Sequence, residues 1–230
     1  MEEDKKIKIL PNGPYEVTET VPLKIAEIVI DAEGTSETWK TGKEYDAQPE
    51  PYHLCRCGHS KTKPYCDGSH KEVGFEGEET TRRSGYVENA VRYEGEAFDL
   101  LDDESLCASM RFCDRGLGAW DAAIESGNAE NKQMAIEECA ACAAGRLTLV
   151  AKDGTVLEPS LPQEINLVQD TAAQMRGPLW VKGGIQLEGA DGQPYEVRNR
   201  MTLCRCGESS NLPFCDTSHL HCPHMNGHDE

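Results

Sequence analysis

Aromatic side chains make up only 6% of the 230 residues and hydrophobic ones 38%. That is little for one large apolar core, so small domains held by something besides burial are expected. Positive charge is also scarce: 23 Lys and Arg face 41 Asp and Glu, for a formal net charge of −18. Phosphate binding needs clustered cations that release counterions, which argues against nucleic acid and favours a partner with a basic surface. Residues 86–165 alone hold sixteen acids against six Lys and Arg, which reads first as a solubilising surface. No apolar run approaches the length of a membrane span. Residues 1–20 lack the apolar core of a secretory leader, so a soluble chain with reduced thiols in a cytoplasm is expected. G-x-G-x-x-G, G-x-x-x-x-G-K-[ST], H-E-x-x-H and G-x-S-x-G are all missing. Nucleotide cofactors, zinc hydrolysis and the serine-hydrolase elbow therefore lack support, and no enzyme activity is expected.

Cysteine, by contrast, is plentiful, with eleven residues. Six of them fall in two stretches of identical spacing, C-x-C-x8-C-x3-H: Cys55, Cys57, Cys66 and His70, then Cys204, Cys206, Cys215 and His219. Three thiolates and an imidazole within about sixteen residues make a complete four-donor set. Each stretch is therefore a self-contained metal module. The spacing alone suits a Cys3His zinc knot as well as an iron–sulfur site.

The residues between the donors carry a resemblance. The pattern C-x-C-x2-S-x3-P-x-C-D-x-S-H, ending in Cys66-Asp67-Gly68-Ser69-His70, is similar to the signature of the CDGSH iron–sulfur (NEET) proteins. That resemblance implies one [2Fe–2S] cluster per motif, with Cys55 and Cys57 on the inner iron and Cys66 and His70 on the outer one. Cys204, Cys206, Cys215 and His219 would repeat the set. The second copy departs at Thr217, where the pattern has Gly, so a tighter turn or a shifted backbone is expected there. Asp67, Ser69, Asp216 and Ser218, with Ser60 and Ser209, read as residues around the cofactor and in its turns, or as caps of the helix that starts at His70 or His219. A neutral imidazole in place of a thiolate leaves a cluster less negative and easier to reduce. Because imidazole titrates near neutrality, it also links electron uptake or cluster release to pH.

Short strands are expected over residues 7–30, and a related stretch precedes the second motif: Gly13-Pro14-Tyr15-Glu16-Val17 has its likeness in Gly177-Pro178-Leu179-Trp180-Val181. The repeat implies that the two halves pack on each other; the NEET resemblance implies the fold class, α+β with two small β-cap, cluster-binding NEET-like halves in a pseudo-two-fold pair, residues 1–85 and 166–230, within one monomeric chain. Residues 86–165 form an insert. A hairpin around Gly95, two helices, the second over about residues 130–142, and a hairpin at Asp153-Gly154 are expected. Its C-x5-C-x-R-G at Cys107 and Cys113, followed by a helix ending at Cys142, resembles divergent single-cluster ferredoxin domains. That resemblance implies a [3Fe–4S] or [4Fe–4S] cluster on Cys107, Cys113 and Cys142, with Cys139 as fourth ligand or spare. Ala143 stands where those domains have Pro, and the other reading is a degenerate domain with buried thiols.

Lesser signals read as follows. The His-rich tail after His219 is expected to fray, His53 and His59 to sit in exposed loops, Trp120 and Trp180 to anchor cores, and Trp39 to lie in a polar loop. The functional expectation is one-electron transfer through two [2Fe–2S] centres. The alternative is cluster storage, cluster transfer or pH and redox sensing. The partner would be a redox protein or an apo iron–sulfur acceptor.

Overall fold

Alternation of apolar and polar side chains turns the first residues into strands. In β1 (Lys6–Ile9) and β2 (Tyr15–Thr18), Ile7, Ile9, Tyr15 and Val17 are buried while the residues between them are partly exposed, as the period of a pleated strand requires. The computed structural model describes residues 5–18 and 20–229. β3 (Leu23–Ile30), β4 (Ser36–Glu44) and β5 (Tyr52–Leu54) follow, then the single-turn helices α1 (Ser69–Glu72) and α2 (Tyr86–Asn89). The middle of the chain forms β6 (Val91–Glu94), β7 (Phe98–Asp102), α3 (Ala119–Ile124), α4 (Ala129–Ala141), β8 (Leu147–Ala151) and β9 (Val156–Leu157). The last stretch gives β10 (Ile165–Asp170), β11 (Met175–Lys182), β12 (Gln186–Glu188) and β13 (Arg200–Leu203). The architecture is α+β. No helix among the described residues is long and apolar enough to cross a membrane.

Two of the three sheets repeat one pairing plan. The first runs β12-β1-β2-β5 and the second β13-β11-β10-β3-β4. In the first, Tyr15 on β2 lies opposite Leu54 on β5; in the second, Leu179 on β11 lies opposite Leu203 on β13. Each half also lends a strand to the other: β12 runs parallel to β1, and β3 runs parallel to β10. Neither sheet is complete without the other half of the chain. Between the sheets one core takes side chains from both, including Ile7, Tyr15, Leu54, Ile165, Leu179 and Leu203. Each such burial is favourable by about 1.5–3 kcal/mol, which compensates for the shortage of aromatics.

The second sheet is covered on its other face as well. Val168, Trp180, Ala26 and Ile28 pack there against Ala108, Met110, Phe112, Ala143 and Ala144 of the insert. Trp39 lies with its ring centroid 4.7 Å from that of Phe112 and 4.8 Å from that of Trp180, and its indole N–H donates to the Ala141 carbonyl at 2.9 Å. The expectation of a polar loop at Trp39 is therefore corrected. β4 is a sheet edge whose mostly polar residues face water, and the single ring turns inward. The insert itself is an antiparallel sheet, β6-β7-β8-β9, against which α3 and α4 pack through Ala119, Ala122, Ala123, Ala135 and Cys139.

Arg200 joins insert and second sheet. Only 1% exposed, it donates from Nε and an Nη to Glu158, and from its Nη groups to the carbonyls of Cys139, Ala140, Cys142 and Leu147. Three of these carbonyls lie at the C-terminus of α4, where those of Cys139 and Cys142 also accept from the N–H groups of Cys142 and Gly145. Arg200→Met should therefore cost about 3–5 kcal/mol, because it removes the cation paired with Glu158 and the side-chain bonds that tie β13 to the end of α4. Urea denaturation of both forms checks this, and a loss below about 1 kcal/mol would mean that the tie is dispensable.

Candidate metal centre

Both Cys-x-Cys stretches begin where a short strand ends. After Leu54 the chain loops out and returns, so that Leu54 bridges Tyr65, the Cys55 N–H donates to the Pro64 carbonyl at 2.8 Å and the Cys66 N–H to the His53 carbonyl at 2.9 Å. The second copy does the same. Leu203 bridges Phe214, the Cys204 N–H donates to Pro213 at 2.8 Å and the Cys215 N–H to Thr202 at 3.0 Å. The strand pairing alone thus carries the first and last cysteines of each motif side by side.

The small polar residues hold these loops shut. The Ser60 hydroxyl donates to the Tyr65 carbonyl at 2.6 Å and accepts from the Thr62 N–H; Ser209 does likewise with Phe214 and Asn211. The Asp67 carboxylate accepts from the N–H groups of Lys61 and Ser69, and Asp216 from those of Ser210 and Ser218 and from both their hydroxyls. These bonds, led by the Lys61 N–H, hold Asp67 well below the usual carboxylate range; the hydroxyl and N–H donors of Ser218 and Ser210 take Asp216 to about 2 despite its partial burial. Neither aspartate caps a helix. The residue at that position is Gly68 or Thr217, with no side-chain cap. Thr217 adopts φ 80° and ψ −10°, close to the 91° and −3° of Gly68, so the expected shift of the second turn is corrected: the backbone is kept, and a β-branched residue bears the left-handed conformation.

The donors stand in pairs. Cys55 Sγ and Cys57 Sγ are 3.8 Å apart, and Cys204 Sγ and Cys206 Sγ 3.5 Å. His70 Nδ1 is 3.4 Å from Cys66 Sγ, and His219 Nδ1 is 3.3 Å from Cys215 Sγ. With metal–sulfur bonds near 2.3 Å and metal–nitrogen bonds near 2.0 Å, two sulfurs on one tetrahedral metal lie about 3.8 Å apart, and a sulfur and a nitrogen about 3.5 Å. All four pairs have about that spacing. No three His, Cys, Asp or Glu side chains among the described residues close on a single point that could hold a metal ion. All eleven cysteines are free thiols. Cys55 is held below the ordinary thiol range by a hydrogen bond from Cys57 and by the N–H groups of Ser60 and Gly58; Cys204 is held low in the same way by Cys206, Ser209 and Gly207.

A buried guanidinium stands behind each site. Arg56, the residue between Cys55 and Cys57, is 1% exposed, donates to the Gly77 carbonyl at 2.6 Å and lies over the rings of Tyr15 and Phe75. Arg205, its counterpart, donates to the carbonyls of Gly177 and Val168 and pairs with Asp229 at 2.6 Å. The sequence reading missed both. The available signal was the same Arg repeated between the paired cysteines; buried, each ties its loop to a distant backbone segment, and Arg205 is paired with the buried Asp229.

The two loops meet backbone to backbone. A Cβ built on Gly58, at φ 78°, would lie 2.7 Å from the Cys206 carbonyl oxygen, and one on Gly207, at φ 85°, 2.9 Å from that of Cys57. Only glycine fits either place. His59 stacks on His224 with centroids 4.4 Å apart, and His224 Nε2 lies 2.9 Å from the Cys206 carbonyl. The tail is thus not frayed as expected. Met225 is fully buried, Asn226 bridges Met175, and Cys222 packs beside Cys204 and Cys206. His53 lies on β5 opposite Glu16 rather than in a loop, 3.4 Å from its carboxylate.

In the insert, Cys107, Cys113 and Cys142 line one cavity of about 240 Å³ together with Trp120, Arg146 and the loop that contains Ser109 and Arg111, both at positive φ. Burial pushes the Cys113 thiol up to about 12. Cys139 does not line the cavity. It sits 2% exposed among the alanines of α3 and α4, one helical turn before Cys142 and below the cavity wall.

Compared with known proteins, residues 12–71 and 176–220 match the family described as iron-binding zinc finger CDGSH type. No curated protein and no solved structure matches the chain. The insert lies outside both matched regions.

Burial, and then Arg205, lower His219 to about 4. As pH falls, the unfolded metal-free chain takes up this proton first, so stability present above about pH 6.5 is lost progressively down to about pH 4, by roughly 3 kcal/mol. Urea denaturation of metal-free protein across that range should show the loss, and His219→Gln should remove most of it. An unchanged pH profile in that variant would contradict the burial of His219.

Proposed function

We propose that each of the two regions that match the iron-binding zinc finger CDGSH type family, a match that implies iron–sulfur binding, holds one [2Fe–2S] cluster and that the protein carries single electrons. The observation that supports this most is the pairing of donors. Cys55 with Cys57 and Cys66 with His70 are each spaced for one metal, while no three donors among the described residues converge. A single zinc would ask all four to share one centre, whereas two irons joined by sulfide take two donors each. Cys204, Cys206, Cys215 and His219 repeat the arrangement.

A [2Fe–2S] cluster supplies a one-electron couple, and an imidazole ligand raises its potential above that of an all-thiolate site. The chain's residues do the rest. Arg56 and Arg205 fix the segment between the paired cysteines by donating to the carbonyls of Gly77 and of Gly177 and Val168. Gly58 and Gly207 let the Cys57 and Cys206 backbones touch, so the two ligand sets sit side by side in a pseudo-two-fold pair. Cys107, Cys113 and Cys142, which line one cavity without closing on a single point, are the donors for a third cluster of [3Fe–4S] or [4Fe–4S] type, with Cys139 left out. The net charge of −18 favours a redox partner or apo acceptor with a basic surface in the cytoplasm. The chain would convert no substrate of its own. The competing reading, cluster storage and delivery or pH sensing, has the partly exposed Cys66 and His70 in its favour.

Purified protein should be coloured and should take up electrons one at a time in a reductive titration. His70→Cys and His219→Cys should each lower the potential of one centre by roughly 100 mV or more. If those variants instead keep their potentials and only slow cluster delivery to an apo acceptor, storage is the function. A colourless protein that carries zinc would reject both readings.

A further inference from the structure

Although the two ligand sets repeat one motif, the fold treats them differently. His219 is 1% exposed and Cys215 2%, whereas His70 and Cys66 are both partly exposed. The cause lies in the insert. Cys215 belongs to the buried cluster that contains Met110 and Phe112 of the insert's cysteine loop and Val168 and Trp180 of the second sheet. Beside His219, Arg111 reaches over from the same loop and binds Asp170 with two bonds of 2.9 and 2.8 Å, and the Asp170 side chain is 1% exposed. The outer ring nitrogen of His219, Nε2, is buried and has no hydrogen-bond partner, so neither water nor a side chain reaches it. Arg111, Asp170, Arg205 and Asp216 are the charged groups whose fields reach this ring.

The first set has no such cover. The residues that follow His70, Lys71 and Glu72, are exposed, and Val73 is 48% exposed. Among the described residues of 86–164, none belongs to the buried cluster around Leu54 and Tyr65, and the insert's cavity is lined by none of the first motif.

Resting on the proposed pair of clusters, we infer that the two sites divide one task. The Cys55, Cys57, Cys66 and His70 set is the chain's port to solvent and to partner proteins. The Cys204, Cys206, Cys215 and His219 set is an interior site, walled off by Met110, Phe112 and Arg111 and communicating only with its neighbours inside the chain. Those neighbours are the first set, across the Gly58 and Gly207 contact, and the three-cysteine cavity whose loop supplies the wall. A repeat with two equal sites would need no wall; an interior site needs one on each open side.

The holoprotein tests this with a bulky anionic iron chelator and, separately, a soluble dysprosium chelate that speeds the electron-spin relaxation of exposed centres. Iron count and visible absorption are taken first. If they show no pair of clusters, the parent reading has failed and not this one. With the pair present, loss of the two [2Fe–2S] signals to the chelator should be biphasic, and the slow phase should trail by about tenfold or more because release from a walled site waits on local opening. Dysprosium should relax one of the two [2Fe–2S] signals and spare the other. Cys66→Ser should remove the fast phase, and Arg111→Ala should speed the slow phase while leaving the fast one as it was. Single-phase loss with both signals relaxed equally overturns the inference, as does an Arg111→Ala protein with an unchanged slow phase. Should either variant fail to fold, the dysprosium comparison on the unaltered protein decides alone.

Discussion

Everything in this molecule is arranged around two loops that leave the ends of β5 and β13 and come to rest against each other. Paired cysteines at a strand end can be held at metal-bonding separation only if the returning arm of the loop is fixed, and here it is fixed three times over. The Leu54–Tyr65 and Leu203–Phe214 bridges set the register, Ser60 and Ser209 close the bend, and Asp67 and Asp216 gather the N–H groups at its tip. The exchange of β3 and β12 between sheets then presses the loops together, and the contact at Gly58 and Gly207 is close enough to forbid any other residue. Preorganised donors of this kind avoid the ordering cost that a floppy site would incur on loading.

Much of this was legible in the sequence, because chemistry that depends on short spacing leaves a local record. The pairing of the eight terminal candidate donors, the strand stretches around Tyr15 and Leu179 that accompany them, the hairpins at Gly95 and Asp153-Gly154 and the long helix of the insert all follow from patterns within about twenty residues. What escaped is non-local. The strand exchange cannot be read from β3 or β12, whose alternation is the same whichever sheet receives them. Trp39 was misjudged because its neighbours on an edge strand are polar, and the tail because His-rich segments look solvated even when Met225 and Asp229 pin them. Arg56 and Arg205 were visible as a repeat, but charge at a position between ligands reads as solvent-facing until burial is known.

The insert changes what the repeat means. By covering the outer face of the second sheet with Phe112, Met110 and the alanines at the end of α4, it makes one copy of the motif interior and leaves the other at the surface. The same contact brings the three-cysteine cavity beside Cys215. Arg200, tying α4 to β13, makes that placement part of the fold and not a loose tether. Symmetry in the sequence thus ends in asymmetry of environment, and a chain with duplicated ligands acquires two different positions for them.

The claim on which the account rests is that four donors at each end are split two and two between a pair of bridged metals. X-ray absorption at the iron edge of the loaded protein tests it most directly. The account predicts mixed sulfur and nitrogen neighbours together with strong iron–iron scattering from two bridged pairs, lost from one pair when Cys204 and Cys206 are replaced by Ser. Absorption at the zinc edge instead, with one metal per motif and no metal–metal scattering, would contradict it.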